Sequence, residues 1–67
     1  MYKISEKIRE ARLEKGMTQE QLAKALDVKP NKISQWENSY IEPSVDWIRK
    51  IAVALQCDPN YLLGFGE

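Results

Sequence analysis

Thr18-Gln19-Glu20-Gln21-Leu22-Ala23-Lys24-Ala25-Leu26-Asp27-Val28-Lys29-Pro30-Asn31-Lys32-Ile33-Ser34-Gln35-Trp36-Glu37 is the stretch on which the fold turns. Leu22, Ala23 and Leu26 have the spacing of one buried helical stripe, and Ile33 and Trp36 that of a second, with only a short break between the two segments. Two short helices so joined cannot lie flat. With Val28 pulled inward at the corner, the second helix crosses the first steeply, and Ala23 supplies the small residue where the backbones approach. This is a helix-turn-helix arrangement, whose second helix has the shape to enter a DNA major groove.

The boundaries within that stretch follow from local chemistry. Thr18 is a good N-cap, and Gln21 three residues on completes a capping box, which fixes where the first helix of the pair begins. At Asp27 the chain needs a positive φ, which Asp tolerates better than most residues but less well than Gly, so some strain is expected there. Pro30 suits the first position of the next helix because its missing N–H would be unpaired there anyway. Lys29 is then the N-cap, a weak choice that leaves first-turn donors for water or a phosphate.

Upstream, a helix is predicted over about residues 3–15, with Ile4, Ile8 and Ala11 forming its apolar stripe and Gly16 its left-handed stop. Leu13 falls off that stripe, and Met17 tucks the connection under the fold. Downstream, the helix from Pro30 ends near Asn38, a loop runs from Ser39 to Pro43, and Ser44 caps a fourth helix. Val45, Ile48, Ile51, Ala52 and Leu55 mark the buried face of that helix, and Trp47 lies off it. Asp58 and Pro59 start a short fifth helix carrying Tyr61, Leu62 and Leu63, which Gly64 stops. Cys57 reads as a small buried hydrophobe.

The class is therefore all-α, and 67 residues form a single domain over 1–67, too small for a sheet sandwich or a deep catalytic cleft. With one Cys and no His there is no internal disulfide and no metal-ligand cluster, which fits a reducing, cytoplasmic setting without a metal or cofactor. Nothing in the chain is obvious for acid–base or nucleophilic catalysis either, so an enzyme is the poorest reading. No apolar run is long enough to span a membrane, and the first residues lead into a charged amphipathic helix instead of a signal peptide. Net charge is zero, but its distribution is not even. Residues 1–32 hold eight Lys/Arg against five Asp/Glu, and the remainder holds two against five. Such an asymmetry favours one basic face.

Gly16-Met17-Thr18-Gln19-x-x-Leu22-Ala23, Ile33-Ser34-x-Trp36-Glu37, Pro43-Ser44 and Ile51-Ala52-x-Ala54-Leu55 together resemble the lambda-repressor-like, XRE-type helix-turn-helix family of phage and bacterial transcriptional regulators. The resemblance covers almost the whole chain. It implies a compact five-helix DNA-binding domain, with the helix-turn-helix formed by helices 2 and 3. It also implies a regulator of the repressor kind, bound as a homodimer to a palindromic double-stranded DNA operator. Carried onto this sequence, it makes Gln19 a donor to a backbone phosphate and turns Lys29, Pro30, Asn31, Lys32 and Gln35 toward the groove. Asn31 and Gln35 have the amide chemistry to bond adenine N6 and N7, and Lys32 can reach guanine or a phosphate, with Ser34 facing a similar way. Arg12 and Glu37 match positions of a partly buried structural ion pair.

Departures from the family pattern carry their own expectations. Asp27 and Ser39 stand where Gly is common, and Pro30 replaces a residue that touches a base in relatives. The Ser39–Glu42 loop has no Lys or Arg, which leaves Asn38 and Tyr40 as phosphate donors. A lone domain should then bind weakly and with strong salt dependence, so dimerisation is expected. Tyr61, Leu63, Phe65 and, if exposed, Trp47 are the candidates for that interface, with Leu62 the best core residue of its segment. The competing reading is a protein-binding module on the same fold, an antitoxin or adaptor, which near-neutral charge and an exposed Trp47 would suit.

Overall fold

The computed structural model describes residues 4–64. Within them the chain forms α1 (Ile4–Glu14), α2 (Gln19–Leu26), α3 (Pro30–Glu37), α4 (Val45–Leu55) and α5 (Pro59–Leu63). Phe65, a predicted interface residue, lies outside the described residues, as does Lys3 at the predicted start of α1.

The predicted caps are in place. The Thr18 hydroxyl accepts from the Gln21 N–H at 3.0 Å, and the Gln21 side chain accepts from the Thr18 N–H at 2.8 Å, which closes the capping box. Ser44 accepts from the Trp47 N–H, and Asp58 from the Asn60 N–H. Lys29 is the N-cap of α3 with no side-chain capping bond, and Pro30 occupies the first turn.

The helix ends repeat one device. After α1, α2, α3 and α4 a residue takes the left-handed conformation: Gly16, Asp27, Ser39 and Gln56 in turn. In each case the N–H of the next residue donates back five residues: Met17 to Arg12 O, Val28 to Ala23 O, Tyr40 to Gln35 O and Cys57 to Ala52 O, at 2.9–3.1 Å. These are Schellman-type closures, which satisfy the last carbonyls and aim the following residue at the helix just ended. Met17, Val28 and Cys57 accordingly pack against the core. Tyr40 does not; it remains exposed. Asp27, with φ 57°, carries the predicted strain, whereas Gln56, with φ 55°, was not anticipated.

One core unites the helices. Ile8, Leu22, Ile33, Trp36, Ile51 and Leu62 are fully buried, with Ala11, Ala23, Ile48, Ala52 and Leu55 between them. Burying each of the large side chains contributes about 1.5–3 kcal/mol. Ala23 on α2 is buried, as its spacing predicted. Two expectations are corrected. Val45 is 60% exposed, because it is the first residue of α4, ahead of the turn at which Ile48 meets the core. Cys57 is only half-buried, held at the end of α4 by the Gln56 turn.

Candidate nucleic-acid interface

The site is built on α3. Ile33, Trp36 and Glu37 face inward, so the opposite side carries Asn31, Ser34, Gln35 and Asn38 at helical spacing. Asn31 and Asn38 are exposed, and Ser34 and Gln35 are half-exposed. Among the described residues no neighbouring helix seals this face.

What holds α3 in place is a polar stripe on α1. Ser5, Arg9 and Arg12 recur one helical turn apart beside the apolar stripe of Ile4, Ile8 and Ala11, and all three reach the far end of α3. Ser5 Oγ lies 2.7 Å from Ser39 Oγ, pinning the residue that follows α3 in its left-handed conformation of φ 64°. Arg12 Nε donates to Glu37 Oε2 at 2.7 Å, and a second guanidinium nitrogen donates to Oε1 at 3.1 Å. The third donates to the Met17 carbonyl at 2.8 Å. Gln19, at the start of α2, adds an amide N–H to Glu37 Oε1 at 3.1 Å. The Glu37 side chain is wholly buried, yet these donors answer its charge. The predicted structural pair is therefore present, and it ties three helices together.

Gln19 spends one N–H on Glu37, which leaves its second N–H for the phosphate role implied by the resemblance. Ser34 Oγ accepts from Asn38 Nδ2 at 3.1 Å, so these two residues form a unit on the α3 surface. Arg9 donates to Asn38 Oδ1 at 3.3 Å and was not among the residues singled out from the sequence. Its signal was there in the Ser5-Arg9-Arg12 spacing, but a charged residue beside an apolar stripe reads first as solvated surface.

The other flank of α3 is aromatic. Trp47 does not stand free; it packs on Trp36 with ring centroids 5.3 Å apart and planes tilted by 51°. Lys50 Nζ sits 4.6 Å from the Trp47 ring centre. Lys32 Nζ is 5.8 Å from the Trp36 ring and 5.9 Å from that of Trp47. Lys32, four residues before Trp36, is thus drawn toward the aromatic edge of the outward face of α3 by cation–π attraction. Lys29 and Tyr40 are exposed at the two ends of α3.

Of the other interface candidates, Tyr61 and Leu63 are half-buried against the core, and Leu62 is fully buried. Among the described residues no three His, Cys, Asp or Glu side chains come together as a metal site, and no helix is long and apolar enough to cross a membrane.

A family model described as helix-turn-helix matches residues 8–62. The HTH-type transcriptional regulator ImmR of Bacillus subtilis (strain 168) is 31% identical over 96% of this chain and 50% of its own length. Repressor protein C2 of Salmonella phage P22 is 40% identical over 90% of this chain and 28% of its own. The HTH-type transcriptional regulator DicA of Escherichia coli (strain K12) is 39% identical over 96% and 47% respectively. The chain thus spans half or less of each of these relatives. Among solved structures, the solution structure of the P22 C2 repressor DNA-binding domain superposes with a TM-score of 0.87 at 39% identity, covering 92% of this chain and 82% of that one. The crystal structure of the P22 c2 repressor with a synthetic operator gives 0.83 at 37% identity, covering 92% and 94%.

Proposed function

Because this chain belongs to the XRE-type helix-turn-helix family and has the lambda-repressor-like fold, we propose that it binds double-stranded DNA as a transcriptional repressor. In this reading α3 lies in the major groove, with Asn31 and Gln35 reading base edges. Gln19, Lys29, Lys32, Ser34, Asn38 and Tyr40 hold the sugar-phosphate backbone. The observation that carries it is the open side of α3, whose exposed amide stands on a helix anchored from behind through buried Glu37. The P22 relative crystallised with operator DNA supports the choice of partner. The family is one of regulators, not enzymes.

A single domain has few phosphate-facing cations, so a homodimer on a palindromic operator follows, with reading helices roughly 34 Å apart. Tyr61 and Leu63 on α5 are the described residues best placed for its contact. The work is done in the cytoplasm, where DNA and a reduced Cys57 coexist. The protein-partner alternative keeps the near-neutral charge but loses the free Trp47, since that ring packs on Trp36 and is half-buried.

Titration with duplex DNA of random sequence at low and high salt tests the reading, followed by selection of bound sites from a random pool. Salt-sensitive binding and a selected palindrome with half-sites one helical turn apart are expected. Absence of binding at low salt overturns it in favour of a protein partner.

A further inference from the structure

On top of the DNA-binding reading just given, we infer that Arg9 is a phosphate-contacting residue that guards the α1 edge of α3. Glu37 already receives two bonds from Arg12 and one from Gln19. The Arg9 Nε lies 3.6 Å from Glu37 Oε1, beyond hydrogen-bond length, so a second guanidinium shares one carboxylate and leaves a surplus positive charge. Ser5 and Arg12, its neighbours on the same stripe, are buried and spent on the α3 end. The Arg9 side chain is 49% exposed and donates one long bond, to Asn38.

Its position gives that charge a use. Arg9 bonds Asn38, and Asn38 bonds Ser34, so the guanidinium sits at the border of the outward face of α3. A helix lying in a major groove has a phosphate strand along each edge. Lys32 and Lys50, gathered at the Trp36–Trp47 pair, occupy the opposite flank, which leaves the α1 edge to Arg9. A phosphate arriving there exchanges a long neutral-acceptor bond for a charge-assisted one, with the planar guanidinium offering two parallel N–H donors.

The test compares wild type with Arg9→Gln, Arg9→Lys and Asn38→Ala on a duplex selected by the wild-type protein, at about 50 and 200 mM salt. One phosphate contact contributes about 0.9 to the slope of log affinity against log salt, so wild type loses about 3.5-fold more affinity across that range than Arg9→Gln. Arg9→Lys keeps the wild-type slope because it retains a cation, whereas Asn38→Ala lowers affinity at both salt concentrations without changing the slope, because it removes a neutral backbone contact. Base preference and melting temperature of Arg9→Gln stay at wild-type values. An Arg9→Gln slope equal to wild type overturns the inference, as does an altered base preference, which would mean that Arg9 merely steers α3 through Asn38. Failure of the wild type itself to bind at low salt is a different result; it removes the DNA-binding reading and this inference with it.

Discussion

Arg12 Nε lies 2.7 Å from Glu37 Oε2, joining α1 to the end of α3 across 25 residues of sequence and away from solvent. The Glu37 side chain is wholly buried and that of Arg12 nearly so, so the two depend on each other more than an exposed pair would. Arg12→Ala leaves a buried carboxylate with only the Gln19 amide and the more distant Arg9 guanidinium beside it, and is expected to destabilise the fold by about 3 kcal/mol in denaturant titration. Replacing both residues together, Arg12→Met with Glu37→Leu, recovers most of that loss. A double variant as unstable as the single one would show that the Met17 carbonyl bond, not the charge pair, is what matters.

Gln56 is held at φ 55° with no side-chain chemistry that favours the left-handed region. Gln56→Gly is expected to raise stability by about 1 kcal/mol, about 4–8 °C in melting temperature for a domain of this size. The exposed bond from Lys15 to the Gln56 side chain is lost at little cost. Asp27→Gly should gain less, because Asp tolerates this region better than Gln does. Thermal unfolding of the two variants checks the order as well as the sign.

Gln35→Ala is expected to relax base preference at one position of each half-site by about 1–3 kcal/mol. Lys32→Ala should instead weaken binding to all sequences alike and flatten the salt dependence, since its ammonium is held at the aromatic flank of α3. Competition against a panel of single-base operator variants separates the two behaviours. Equal effects on specificity would place Lys32 back among the base readers.

Burial, then the neighbouring carboxylates of Asp58 and Glu14, raise the Cys57 thiol above its ordinary value. The folded state therefore holds this proton more tightly than the unfolded chain does. Its contribution to stability is full below the unfolded pKa and is lost as pH rises through the folded one. Alkylation of Cys57 at mildly alkaline pH is expected to be slower in the folded protein than in urea. Equal rates in both would mean that the thiol is neither shielded nor perturbed.

The elements were legible because each is specified by its own few residues. Thr18 with Gln21, Ser44, Asp58 and Pro30 announce helix starts through contacts within three residues, and Leu22, Ile33, Ile51 and Leu55 declare buried faces by spacing alone. Val45 misled because spacing does not say how far along a helix the core begins. Trp47 misled for a similar reason: whether an off-stripe indole stands free depends on whether a ring from another helix comes within reach, and Trp36 does.

By itself, then, the amino-acid order determined the helical segments and most of their starts, a corner between the second and third, and the amide-bearing side of α3, all consequences of interactions between residues close in the chain. The packed molecule alone decided which polar groups are used up inside and which remain to meet a partner. Ser5, Arg9 and Arg12 have the same periodic signature. Only assembly against Glu37, Asn38 and Ser39, more than twenty residues away, buries two of them and leaves the side chain of Arg9 half in solvent.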